Sequence, residues 1–137
     1  MILVDTGPLV ALFDPNDRQH NRCRTVLKSI REPVRTTVPV LTEAFHMLDP
    51  GSVGSQRLRE FVLRGGLSVW WLDESSLPRA FELMQTYSDH AMDLADASLI
   101  AAAEALGTRK VFTIDRRDFQ TYRVRRGHRS ISLEIIP

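Results

Sequence analysis

The chain opens Met1-Ile2-Leu3-Val4-Asp5-Thr6-Gly7-Pro8. A short apolar run without polar alternation is the pattern of a strand covered on both faces. Here it stops at an acid followed by turn residues. Pro8 suits the first turn of a helix, where its missing N–H costs nothing. Leu9, Val10, Leu12 and Phe13 supply that helix with an apolar body, more than a small sheet needs. The same alternation of strand and helix repeats along the chain. Residues 35–38 are short and β-branched, and 67–72, 110–114 and 130–135 read as further strands. Helices are expected over 17–30, 39–48, 55–63, 75–87 and 95–106, the last rich in Ala and stopped by Gly107. The pattern predicts an α/β fold with a mostly parallel central sheet. In such sheets the working crevice lies outside the carboxyl ends of the strands.

With 137 residues, 43% hydrophobic and 26% charged, residues 1–137 are expected to form one globular domain. The longest uncharged runs, residues 6–13 and 65–72, fall far short of the ~20 residues that span a bilayer. No basic segment precedes an apolar one at the start, so no export signal is read. A single cysteine, Cys23, excludes an intramolecular disulfide and a cysteine-cluster metal site. These features predict a cytoplasmic protein without membrane contact. Lys and Arg number 18 against 17 Asp and Glu, for a net charge of +1. Only Lys28 and Lys110 are lysines. Arg116, Arg117, Arg123, Arg125, Arg126 and Arg129 crowd into residues 116–129 against Asp118 alone. That strip is either a solvated loop or a phosphate-holding surface, for which Arg is the better cation. Trp70 and Trp71 fall within the third strand on opposite faces and both read as packing.

Four acids fall where the fold class directs attention. Asp5 ends the first strand, and Asp115 ends the fourth in Thr113-Ile114-Asp115. Asp96 stands at the start of the Ala-rich helix, three residues after Asp93. Glu43 sits one turn into the helix opened by Pro39, beside apolar Leu41, Ala44 and Phe45. Singly, each has an ordinary explanation as a turn residue, a helix-start acid or a surface residue. Together they would repel one another unless protons or a cation intervened. Mg²⁺ and Mn²⁺ favour such an oxygen-only donor set. A metal held by carboxylates with open positions suits phosphodiester hydrolysis.

The arrangement resembles the PIN-domain family, and within it the VapC-like ribonuclease toxins. The matching pieces are Ile2-Leu3-Val4-Asp5-Thr6, Leu41-Thr42-Glu43, Ala95-Asp96-Ala97-Ser98-Leu99-Ile100-Ala101 and Phe112-Thr113-Ile114-Asp115-Arg116-Arg117-Asp118-Phe119. The resemblance runs over essentially the whole chain. It implies a three-layer α/β/α sandwich and Mg²⁺- or Mn²⁺-dependent endonucleolytic cleavage of RNA. It also implies a VapB-like antitoxin partner and a homodimer. Carried over by position, Asp5, Glu43, Asp96 and Asp115 are the catalytic acids. Asp5, Asp96 and Asp115 are the metal ligands, with Asp93 as a rival to Asp96. Asp118 is an acid behind the ligands, and Thr6 and Thr113 hydrogen-bond the carboxylates. The arginines Arg116, Arg117, Arg123, Arg125 and Arg126 are expected to hold flanking RNA phosphates. A non-catalytic RNA- or protein-binding module on the same fold is the alternative. Other α/β enzymes fit less well. A haloacid-dehalogenase-type phosphotransferase needs a second Asp two residues after the first, and position 7 is Gly. No Walker loop or Gly-x-Gly-x-x-Gly occurs.

Overall fold

The computed structural model describes residues 1–137. In chain order the elements are β1 (Ile2–Val4), α1 (Thr6–Phe13), α2 (His20–Ser29), β2 (Val34–Thr37), α3 (Val38–Met47), α4 (Val53–Leu63) and β3 (Ser68–Trp70). There follow α5 (Leu77–Thr86), a 3-10 turn at Ser88–His90, α6 (Leu94–Leu106), β4 (Lys110–Phe112), α7 (Arg116–Thr121), β5 (Arg123–Arg126), β6 (Arg129–Ser132) and β7 (Glu134–Ile136). Five strands form a wholly parallel sheet in the order β3-β2-β1-β4-β7, with helices on both faces. This is the α/β/α sandwich expected from the alternation.

The sheet grows outward from β1, whose three residues are all buried. The chain winds from β1 through β2 to β3, then returns to the other side of β1 for β4. The winding direction therefore reverses between β1 and β4, where an open α/β sheet makes its crevice. The Asp5 N–H donates to the Phe112 carbonyl at 3.0 Å, holding these two strand ends side by side. Buried hydroxyls tie the layers beneath the crevice. Thr36 Oγ1 donates to the Val4 carbonyl at 2.8 Å, and Thr37 and Ser98 share a 2.6 Å hydrogen bond between β2 and α6. The Ala-rich face of α6 lets that helix lie close on the sheet. Ala97, Ala102 and Ala103 are fully buried with Leu99 and Ile100. Gly107, at φ 68, supplies the left-handed turn that ends α6.

Two expectations are corrected. Residues 130–135 are not one strand: β6 pairs antiparallel with β5 in a hairpin, and β7 alone joins the main sheet. The hairpin docks on α6, where the Arg125 N–H donates to Glu104 Oε2 at 2.8 Å and Arg79 bridges Glu104 and Glu82. Trp71 is not packed. β3 ends at Trp70, so Trp71 leaves the sheet and is 68% exposed. Leu9 and Val10 are buried, and Leu12 and Phe13 pack against the core while staying partly exposed. No helix is long and apolar enough to cross a membrane.

Candidate active site

The crevice at the carboxyl ends of β1 and β4 is a pit of about 470 Å³. Six carboxylates line it: Asp5, Glu43, Asp93, Asp96, Asp115 and Asp118. They come from the ends of β1 and β4 and from α3, α6 and α7, and the parallel topology gathers these at one end of the sheet. Asp5 forms the floor and is 7% exposed. Burial pushes its carboxyl up to about 6. The Thr113 hydroxyl, donating at 2.8 Å, opposes that rise, while Glu43 and Asp115 add to it. Asp96 is raised to about 7, first by burial and then by the charges of Asp93 and Asp5. Tyr122, itself fully buried, donates its hydroxyl to Asp96 Oδ2 at 2.9 Å and moderates the rise. In return, burial and the Asp96 carboxylate drive the Tyr122 phenol well above its usual range. Asp115 is also raised, chiefly by burial.

Asp93 and Asp96 divide two duties. Asp93 caps α6, accepting the Asp96 N–H at 2.8 Å. Asp96 lies in the first helical turn with its carboxylate in the pit and one oxygen held by Tyr122. Asp115 likewise caps α7, accepting from the Asp118 N–H at 3.2 Å. Glu43 is half-buried on α3. Gly7 lets the segment after β4 close against α1, since a Cβ there would lie 2.6 Å from the Ile114 side chain.

No three of these carboxylates stand together as a preassembled chelate. Unscreened like charges explain the spacing, and Mg²⁺ takes only one or two carboxylates directly while keeping waters. Two observations fit a hydrated divalent cation here. The carboxylates offer only oxygens, and burial together with neighbouring negative charge raises three of them, Asp5, Asp96 and Asp115. Thr6 Oγ1 is also buried with no hydrogen-bond partner. It does not bond the carboxylates as expected; only Thr113 does.

The arginine strip does not ring the pit. Arg116 and Arg117 lie on α7 near its rim, exposed and free of ion pairs. Arg123 donates to the Gln120 carbonyl, and Arg125 pairs with Glu82 at 3.1 Å. Arg126 reaches the Gly107 carbonyl at the far end of α6. The hairpin thus carries the last two away from the acids and spends part of their charge on docking. Two residues at the site, Tyr122 behind the pit and His90 in its lining, had no signal in the sequence. Tyr122 meets Asp96 only because α7 and β5 fold back onto α6. His90 enters on the 3-10 turn, with Nδ1 3.9 Å from Asp118 Oδ1.

The model of the PIN domain matches residues 2–125. The chain belongs to the PIN-domain family. Among curated proteins, this PIN domain is 27% identical over 129 residues to Ribonuclease VapC26 of Mycobacterium tuberculosis, covering 89% of this chain and 92% of that protein. Its fold is also that of M. tuberculosis VapC20, described as a sarcin-ricin-loop-cleaving toxin. That match has a TM-score of 0.78 at 20% identity over 85% of this chain and 92% of the other. VapBC2 of Rickettsia felis, solved with a DNA fragment of its promoter, matches with a TM-score of 0.64 at 15% identity over 98% of both chains.

Proposed function

We propose that this PIN domain is a metal-dependent endoribonuclease, the toxin of a VapBC-type toxin–antitoxin pair. The observation that carries the reading is the pit itself. Six carboxylates line one crevice at the sheet's switch point, and burial and the charges of their neighbours raise Asp5 and Asp96 toward neutrality. Such an arrangement is unfavourable for folding, and a divalent ion gives it a use. Asp5 and Asp96 are the residues to hold Mg²⁺ or Mn²⁺, with Asp115 beside them. A divalent ion in that donor set supplies Lewis-acid polarisation of a phosphate and acidification of water. Glu43 or Asp115 orients the attacking water or takes its proton. Thr113 and Tyr122 hold Asp5 and Asp96 in place by donating to one oxygen of each. Arg116 and Arg117 at the rim are placed to hold flanking phosphates.

The similarity to VapC proteins supports a VapB-like antitoxin as partner and self-association of the toxin. Met47, Val53 and Leu63, at 57%, 64% and 85% exposed, supply apolar surface along α3 and α4 for such contacts. The test is cleavage of end-labelled RNA by purified protein in Mg²⁺, Mn²⁺ or EDTA. Cleavage is expected with either ion and is lost in EDTA and in Asp96→Asn. Full activity in EDTA, or in a folded Asp96→Asn protein, contradicts the proposal.

A further inference from the structure

Of all the side chains lining the acidic pit, His90 alone carries nitrogen. Within the lining it is the one side chain that can present an N–H to an anion, whereas Arg116 and Arg117 lie outside the lining on α7. Its placement is held from both sides. Before it, the Tyr87 ring packs edge-on against Tyr122 with centroids 5.0 Å apart, and the Tyr87 hydroxyl accepts the Arg123 N–H at 2.9 Å. After it, Met92 is anchored in the core at 4% exposure. Between them Ala91 adopts φ 50, ψ 40, a left-handed conformation unfavourable for a non-glycine residue. Strain tolerated at the lip of a pit is a sign that the direction of the neighbouring side chain matters. The His90 side chain is 39% exposed, whereas Asp5 on the floor is 7% exposed. Its Nδ1 faces Asp118 at an ion-pair distance, and Nε2 has no protein partner. As imidazolium the ring has an N–H at both nitrogens.

We infer that His90 is a substrate-binding residue, holding through Nε2–H a backbone phosphate of RNA next to the scissile one. This rests on the nuclease reading above. The floor acids and their cation deal with the reacting phosphate. The neighbouring phosphate, at the rim, still meets the fields of Asp93, Asp96, Asp115 and Asp118, and His90 stands among them as an N–H donor. Asp89, on the same turn, adds to the acidic surround. Because the contact is made to both ground and transition states, it acts on binding rather than on the chemical step.

The experiment compares wild type with His90→Ala, His90→Gln and His90→Lys in steady-state cleavage of one RNA. It also measures RNA binding by anisotropy, with the same substitutions placed in a cleavage-inactive Asp96→Asn background. His90→Ala is expected to raise KM about tenfold with kcat within twofold, and His90→Lys to restore KM. The slope of log Kd against log salt should fall by about 0.7, the signature of one lost contact to a single-stranded phosphate. Unchanged KM and salt slope in His90→Ala would overturn the inference, as would a fall in kcat at constant KM. A wild-type protein that cleaves no RNA sinks the nuclease reading itself, whatever His90 does.

Discussion

Replacing Asp5 with Asn should make the metal-free protein more stable. Burial raises the Asp5 carboxyl from 3.8 to about 6, which at about 1.4 kcal/mol per pH unit is on the order of 3 kcal/mol. The folded state keeps a proton on Asp5 that the unfolded chain releases between about pH 4 and 6. Folding stability therefore falls as pH rises through that window and levels off above it. Asp96 extends the window to about 7. In EDTA the wild type should melt lower at pH 8 than at pH 5. Asn has nearly the shape of Asp and can still accept the Thr113 hydroxyl, but it carries no charge to desolvate. At pH 8 the variant should gain up to about 3 kcal/mol, or roughly 10 °C at about 3–4 °C per kcal/mol for a domain of this size. At pH 5 the gain should fall to about half, because Asp5 is already largely ionised in the unfolded chain there but still protonated in the folded one. Thermal melts by circular dichroism at the two pH values, with EDTA and then with Mg²⁺, read all of this. Mg²⁺ should raise the wild-type melting temperature at pH 8 and the variant's much less. A wild type whose melting temperature is flat from pH 5 to 8, with a variant no more stable at pH 8, would refute the account of a charge-starved pit.

Tyr122→Phe removes the hydroxyl that favours ionised Asp96. The acidic limb of the kcat/KM profile for RNA cleavage should therefore move to higher pH; an unmoved limb counts against Tyr122 as the residue that sets Asp96. Ser98→Ala leaves the buried Thr37 hydroxyl without its partner in α6 and should cost about 1–3 kcal/mol in urea denaturation, with little change in m. A partner that silences the pit needs a cation in it, and an Arg paired bidentately with the acids is the natural form. Calorimetry should then show antitoxin affinity weakened modestly by Mg²⁺. Asp96→Ala should weaken it more than the distant Glu134→Ala does. Equal affinities throughout would place inhibition elsewhere.

Much of this architecture is legible in the amino-acid sequence, for reasons that differ by element. β1 announces itself because it is buried on both faces and therefore apolar throughout. α6 is visible because close packing on a sheet demands small residues. The four catalytic candidates are visible because a parallel sheet sends every strand end to the same side. The carboxyl-terminal hairpin is not. In Arg123-Val124-Arg125-Arg126 only Val124 turns inward, at 1% exposed, and one buried residue is too short a period to read. The arginines there look like one strip in sequence but serve two ends of the molecule. The division of labour between Asp93 and Asp96 is also hidden, since either could cap α6 until the helix start is located. Tyr122 and His90 depend on contacts between segments remote in sequence, which no local pattern encodes.

The hydrogen bond from Thr113 to Asp5 joins residues 108 positions apart. That span has a meaning in time. A ribosome adds roughly 5–20 residues per second, so several seconds separate the emergence of the pit's floor from that of the hydroxyl and strand that complete it. Over that interval β1 has no β4 beside it, and Asp5 is an ordinary solvated acid on an unfinished chain. A fragment broken off before β4 lacks Asp115 and Asp118 altogether and cannot close the pit. The pit therefore cannot close until β4 and α7 have been made.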